Sequence, residues 1–362
     1  MSLARIRDQE SAVQLLGNIL RRGRFPNAML FWGPDGVGKY LTALEFAKAI
    51  HCTNMQWDAC DTCPTCEKIE HGNHPDVRTV VPMKRSRSIA NDVVEEITEA
   101  ASLSPTESDR RIFILQDADR MTARAQGHFL KTLEEPPGKS LFILTTQYPG
   151  MLFVTIRSRC QSVRFRALRT ETIVELLLQQ RDIPHETAHS IAALAQGQMT
   201  QALDLVDTGK RVAALGAIRQ LTEGADPVQL AQEFAQMLAE QRQRIEADID
   251  AELQSVEEEA LEPEERERIK DEKMARVDSD YRRSILQYLY LFETWYRDEL
   301  VYEATGDLTQ VFNHDQKEHL KNERRGEPAA CIRAIEQAQG YLQRNISEDR
   351  VFRLLFLKLA GR

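Results

Sequence analysis

Residues Gly33-Pro34-Asp35-Gly36-Val37-Gly38-Lys39-Tyr40 follow the phosphate-loop pattern G-x-x-x-x-G-K-[ST] up to its last position. Glycines at this spacing let backbone N–H groups curl around phosphate oxygens. The start of the following helix adds partial positive charge, and the lysine reaches the outer phosphates. Gly33, Gly36, Gly38, Lys39 and Tyr40 are therefore the candidate nucleotide-binding residues; the bland alternative is a glycine-rich turn with an incidental lysine. The last position ordinarily offers a short hydroxyl to Mg2+. Tyr40 carries its hydroxyl at the far end of a ring, and Thr42 lies about 200° around a helix, so neither replaces it. ATP or ADP binding through Lys39 is allowed, whereas Mg2+ binding and efficient hydrolysis are disfavoured.

A second constellation is Cys52, Cys60, Cys63 and Cys66, with a C-x-x-C-x-x-C core. In a reducing compartment such a cluster points to metal rather than disulfides. Four thiolates suit tetrahedral Zn2+ with no open position, a structural site. His51, His71 and His74 are nearby alternative ligands, and free thiols or an iron–sulfur cluster are the competing readings.

These residues need elements to hold them. Ala28 to Trp32 is a short apolar run of buried-strand type, and Tyr40 to Ile50 reads as a helix with Leu41, Leu44, Phe46, Ala47 and Ile50 on one face. Asp76 to Pro82 reads as a second strand and Ser88 to Ala101 as a helix with Ile89, Val93, Ile97 and Ala101 on one face. Arg110 to Asp119 reads as a third strand ending in acids, Leu141 to Thr146 as a fourth ending in hydroxyls, and Gln161 to Phe165 as a fifth. Strands alternating with helices predict an α/β fold with a parallel sheet.

The chain has 362 residues, a hydrophobic fraction of 42% and a net charge of −9. Such a length admits two or three domains, and the acidity argues against a dominant nucleic-acid surface. No run approaches the roughly 18 apolar residues of a membrane span, and the N-terminus lacks a secretory apolar core, so a cytoplasmic location is the default expectation. Much of the charge lies between Glu246 and Asp280, as in Glu257-Glu258-Glu259. That stretch predicts a solvated helical hairpin with a break at Glu262-Pro263, or less simply a partner-binding arm. Arg169 to Asp207 and the region beyond Lys210 read as helices. Their apolar stripes include Ile285, Leu286, Tyr288, Leu289, Leu291, Phe292 and Trp295, and later Val351, Leu354, Leu355 and Leu359.

Phe129-Leu130-Lys131-Thr132-Leu133-Glu134-Glu135-Pro136-Pro137 and Ile156-Arg157-Ser158-Arg159-Cys160, together with a four-cysteine insertion after the phosphate-loop helix, resemble the signatures of bacterial clamp-loader ATPases of the AAA+ superfamily. The resemblance spans roughly residues 5 to 205. It implies a phosphate-loop domain over 1–167 with a zinc insertion at 52–66, a helical lid over 168–208, and a helical collar over 209–362 carrying the charged insertion at about 246–280.

The family holds ATP-hydrolysing motor subunits of gamma/tau type and a second kind that keeps the fold without the activity. In family terms the metal-binding hydroxyl aligns with Tyr40, an Asp-Glu pair with Gln116-Asp117, and the arginine of a G-x-x-R-x-A-L pattern with Thr200. Thr146, ending the fourth strand, belongs with these altered catalytic positions. Gln116 would weaken Mg2+ binding, Thr200 would remove a cation from the phosphates, and Asp35 adds a negative charge nearby. The resemblance also implies that Arg159 projects into a neighbouring subunit's ATP site, where such a residue stabilises transition-state charge; otherwise it is a surface arginine after a helix. The implied setting is a heteropentamer with gamma/tau and delta types, acting on a ring-shaped sliding clamp and primer–template DNA. The alternatives are a hydrolysing motor subunit and a zinc-containing DNA-binding scaffold outside replication.

Overall fold

The computed structural model describes residues 3–82, 88–253, 263–321 and 327–361, and in 252–253, 263–269 and 272 the backbone only. The chain forms two compact units, one comprising Met1–Thr172 with Gly197–Thr200, the other Ile173–Gln196 with Gln201–Arg362.

The first unit is built on α1 (Glu10–Arg22), β1 (Ala28–Trp32), α2 (Lys39–His51), α3 (Pro64–Glu70), β2 (Val77–Val80), α4 (Asn91–Ser102), β3 (Arg111–Leu115), α5 (Ala123–Glu134), β4 (Ser140–Thr146), α6 (Val154–Arg159) and β5 (Gln161–Arg164). All five expected strands form one sheet in the order β2-β3-β4-β1-β5, and every pairing is parallel. Burial on both faces explains the continuous apolar runs: Met29, Phe31, Ile112, Ile114 and all of Leu141–Leu144 are fully enclosed.

Three differences from the sequence expectation have physical causes. First, α2 is buried almost all round from Thr42 to Ala49, while Leu41 is exposed. Neighbours cover α2 on several sides, so no single apolar stripe marks it. Second, α4 begins at Asn91 rather than Ser88, because Ile89 forms an isolated parallel bridge with Met121. Third, β3 ends at Leu115, and Ala118–Arg120 makes a 3-10 turn after Asp117, whose φ is 46°. The acids beyond Leu115 therefore lie on the turn, not the strand.

The second unit is helical. It follows α7 (Thr170–Gln180), α8 (His185–Leu194) and α9 (Met199–Asp207) with α10 (Lys210–Glu223), α11 (Pro227–Leu253), α12 (Pro263–Thr305), α13 (Lys317–Leu320), α14 (Pro328–Gln343) and α15 (Glu348–Leu359). Phe234, Tyr288, Phe292, Phe352 and Phe356 stack into an aromatic core with ring centroids 4.9–6.1 Å apart. Leu286 and Leu354, expected on the apolar stripes, are exposed instead.

Asp298 is fully buried and is satisfied by the N–H groups of Phe312 and Asn313 and by Arg297. Lys273 bridges from α12 to Glu246 and Asp250 on α11, and Arg242 meets Asp278, so the described parts of the charged stretch are paired helix faces. Glu257-Glu258-Glu259 and the break at Glu262 lie outside the described residues. No described helix is long and apolar enough to cross a membrane.

Candidate phosphate site and cysteine cluster

In the sheet order β3-β4-β1, the segments leaving the C-terminal ends of three adjacent strands meet. The crevice at such strand ends is where open α/β sheets place ligands. Gly33–Gly38 leaves β1, Gln116–Asp119 leaves β3 and Thr146 closes β4; the Gly33 N–H donates to the Thr146 carbonyl at 3.2 Å.

The loop geometry demands its glycines. Gly36 and Gly38 have φ of 67° and 90°, values that side chains rarely adopt. A β-carbon on Gly36 would stand 2.5 Å from both the N and the Oγ1 of Thr200, so this loop is packed directly against the start of α9. The Met199 N–H donates to the Gly36 carbonyl at 3.2 Å, and the Thr200 hydroxyl lies 3.4 Å from the Asp35 carboxylate. The structure thus brings the Thr200 position, distant in sequence, to the loop.

Lys39 is the first residue of α2 and is only 7% exposed. Its Nζ donates to the Gly33 and Pro34 carbonyls at 2.9 and 2.5 Å. Burial lowers its pKa, opposed by the nearby charges of Asp35, Asp117 and Asp119. Asp117 lies at the solvent-accessible rim. Its carboxyl is raised, first by lost hydration and then by Asp119, despite Lys39.

The Thr146 hydroxyl donates to Asp119 and accepts the Tyr148 N–H at 2.9 Å. The sequence places Asp119 in an acidic strand end. Its spacing two residues after Asp117 is the sole sequence hint that it faces the same crevice. Tyr40 projects outward, with its hydroxyl 3.5 Å from the Thr79 hydroxyl, while Thr42 turns inward to donate to the Gly38 carbonyl at 2.8 Å. Neither hydroxyl is available where the motif would present one.

Cys52 follows α2, Cys63 caps α3 and Cys66 lies within it. The four sulfurs of Cys52, Cys60, Cys63 and Cys66 all lie within 4.8 Å of one another. Tetrahedral Zn–S bonds would place the sulfurs roughly 3.8 Å apart, so the donor set fits such an ion. The Cys63 N–H points at the Cys60 sulfur (3.3 Å) and the Cys66 N–H at the Cys63 sulfur (3.4 Å), contacts that favour thiolates. The Thr62 N–H and hydroxyl pull Cys60 down to about 6. Burial raises Cys66 strongly, and burial also opposes the lowering of Cys63 by the Cys66 and Thr53 hydrogen bonds. His71 is not among the converging groups, nor are His51 and His74, which stack on each other with ring centroids 5.6 Å apart.

The cluster is tied to α2 through Lys48. This lysine is 1% exposed and its ammonium meets Glu45 at 3.2 Å, Asp61 at 3.4 Å and Glu70.

Arg159 ends α6. Its guanidinium donates to the Thr155 carbonyl at 3.1 Å and to Glu134 at 2.8 Å, and its side chain remains 37% exposed. It is therefore accessible at the surface, on elements other than those that hold Lys39.

Residues 8–169 match a family profile described as "DNA polymerase III, delta subunit". The chain is 37% identical over 177 residues to the DNA polymerase III subunit delta' of Bacillus subtilis, covering 49% of this chain and 53% of that protein. It is 32% identical over 205 residues to the DNA polymerase III subunit tau of the same organism, covering 55% and 36%. The alignments thus span about half of this chain and from about a third to a half of those relatives. A solved gamma subunit-related protein of DNA polymerase III from Thermotoga maritima aligns over 96% of this chain at 17% identity, with a TM-score of 0.41.

Proposed function

We propose that this chain, whose residues 8–169 match a profile of DNA polymerase III subunits, is a clamp-loader subunit of the kind that does not hydrolyse ATP, resembling delta-prime. In this reading it acts as a stator beside gamma/tau motor subunits and a delta-type subunit in a heteropentamer. The assembly would load a sliding clamp at primer–template DNA. The helices over 168–208 would serve as lid and those over 209–362 as collar.

The observation that carries the reading is the make-up of the crevice around Lys39. Tyr40 turns its hydroxyl toward Thr79, position 116 is an amide, and position 200 is a threonine packed on Gly36. Each change removes a different charge or ligand that phosphoryl transfer uses. Loss of all three leaves a loop suited at most to holding a nucleotide.

Arg159 would instead serve a neighbour. Supplied in trans, such an arginine contributes on the order of 10³–10⁵ in rate. The test is a complex reconstituted with Arg159→Ala. Clamp- and DNA-stimulated ATPase should fall by at least tenfold; unchanged turnover would refute the role.

Tau-type relatives favour a second reading, a motor subunit with its own turnover. Mg2+-dependent ATPase of the isolated chain, abolished by Lys39→Ala, would establish that reading and overturn the first. The four cysteines are assigned to structural Zn2+, a role their mutual spacing supports.

A further inference from the structure

We propose that Glu134 is a positioning residue for Arg159, fixing its guanidinium for use by the neighbouring subunit. The inference rests on the reading that Arg159 acts in trans, and it starts from how α6 is held.

That helix has only six residues, too few to be stable alone. It is moored on α5 at both ends. At the entry, the buried Gln126 accepts the Phe153 N–H at 2.8 Å and donates to the Met151 carbonyl at 3.3 Å. At the exit, Glu134 accepts from Arg159 at 2.8 Å. Gln126 and Glu134 are eight residues apart, about 12 Å along the helix axis. α5 thus acts as a bar along which the short helix is held, with the arginine at its last turn, just before β5.

Among the described residues, the Arg159 guanidinium donates to the Thr155 carbonyl, which belongs to its own helix, and to Glu134. Glu134 supplies the hold from another element and uses one carboxylate oxygen on one nitrogen. A guanidinium carries five N–H donors in a fixed fork; with two used on Thr155 and Glu134, three remain for phosphate oxygens.

Stability is not what this pair supplies. Both side chains are partly exposed, at 37% and 46%, and exposed ion pairs contribute little. Orientation is the larger effect. A free arginine carries about 2 kcal/mol of rotamer entropy, and a group already aimed at developing charge needs no reorganisation during the reaction.

The experiment uses the reconstituted complex with its gamma/tau motor subunits, normalised for incorporation by gel filtration. Glu134→Ala should lower kcat of clamp- and DNA-stimulated ATPase about tenfold with KM for ATP unchanged. Glu134→Gln, which keeps an acceptor oxygen, should recover most of the loss. Glu134→Ala combined with Arg159→Ala should be no slower than Arg159→Ala alone. An unchanged kcat, additive effects, or a raised kcat that made Glu134 a brake would each overturn the inference. If Arg159→Ala itself has no effect, the trans reading fails and takes this one with it. If only Arg159→Ala slows turnover, Glu134 alone is wrongly assigned.

Discussion

Thr200 and Gly36 are in direct contact: the Thr200 nitrogen and hydroxyl lie 2.5 Å from the point where a β-carbon on Gly36 would stand. Position 200, from which the resemblance expects an arginine to reach phosphate, is here the wall of the loop. The contact makes the loop and the start of α9 one packed object.

Gly36→Ala should therefore be costly in two ways. The residue has φ of 67° and no room for a methyl group. Strain at such a dihedral costs about 1–3 kcal/mol before the clash is counted. Gly38→Ala, with φ of 90° but nothing within 4 Å, should lose only the strain component. Denaturant unfolding of the two variants should rank Gly36→Ala as the less stable; the reverse order would contradict the packing described here.

The crevice can also be rebuilt. Tyr40→Thr alone should not create turnover in the isolated chain, because position 116 still lacks a carboxylate and position 200 a cation. Tyr40→Thr with Gln116→Asp and Thr200→Arg should make nucleotide affinity Mg2+-dependent, tightening it about tenfold, or about 1.4 kcal/mol. Calorimetric titration with and without Mg2+ measures this. Strong Mg2+ dependence in the unmodified chain would count against the proposed loss of the metal ligand.

Asp76 provides a pH test. It is buried ahead of β2, and its carboxylate accepts the N–H groups of Thr106, Glu107 and Ser108 at 2.7–2.9 Å. Burial pushes its pKa up, but those donors together with His74 hold it below the ordinary value. A lowered folded pKa means that its stabilisation is complete above the ordinary carboxylate value of about 4. It fades as pH falls through the lower folded value. Asp76→Asn should cost about 2 kcal/mol at neutral pH, the scale of hydrogen bonds to a charged group. The deficit should shrink in acid. A deficit independent of pH would show that the carboxylate charge is irrelevant.

Metal analysis decides the cysteine cluster. About one equivalent of Zn2+ per chain is expected, and chelation or Cys63→Ser should lower the melting temperature. Lys48→Met should be destabilising by about 3 kcal/mol, since it removes the buried cation shared by Glu45, Asp61 and Glu70. Less than half an equivalent of metal, with four titratable thiols, would remove the zinc assignment.

Much of this was legible in the residues. The three central strands, β3, β4 and β1, announce themselves as apolar runs between turn residues, and glycine spacing locates the loop because its dihedrals admit little else. What could not be read is tertiary. Asp119 meets Thr146 across 27 residues, and Glu134 meets Arg159 across 25. In both cases a polar side chain finds its partner only after adjacent strands or helices have aligned. Periodicity also fails for α2, where Glu45 and Lys48 lie fully inside as an ion pair and so disguise a buried face as a polar one. The contact of Thr200 with Gly36 was outside the reach of any local pattern.

The Lys48 cluster has a consequence for the order in which the molecule assembles. Its three ionic contacts join residues 3, 13 and 22 apart along the chain. By contrast, β1 must find Phe142 and its neighbours on β4, far downstream. Local closure is entropically cheap and fast, and distant parallel pairing is slow. The phosphate-loop helix and the cysteine knuckle therefore close on each other at a lower loop-entropy cost than the pairing of β1 with β4.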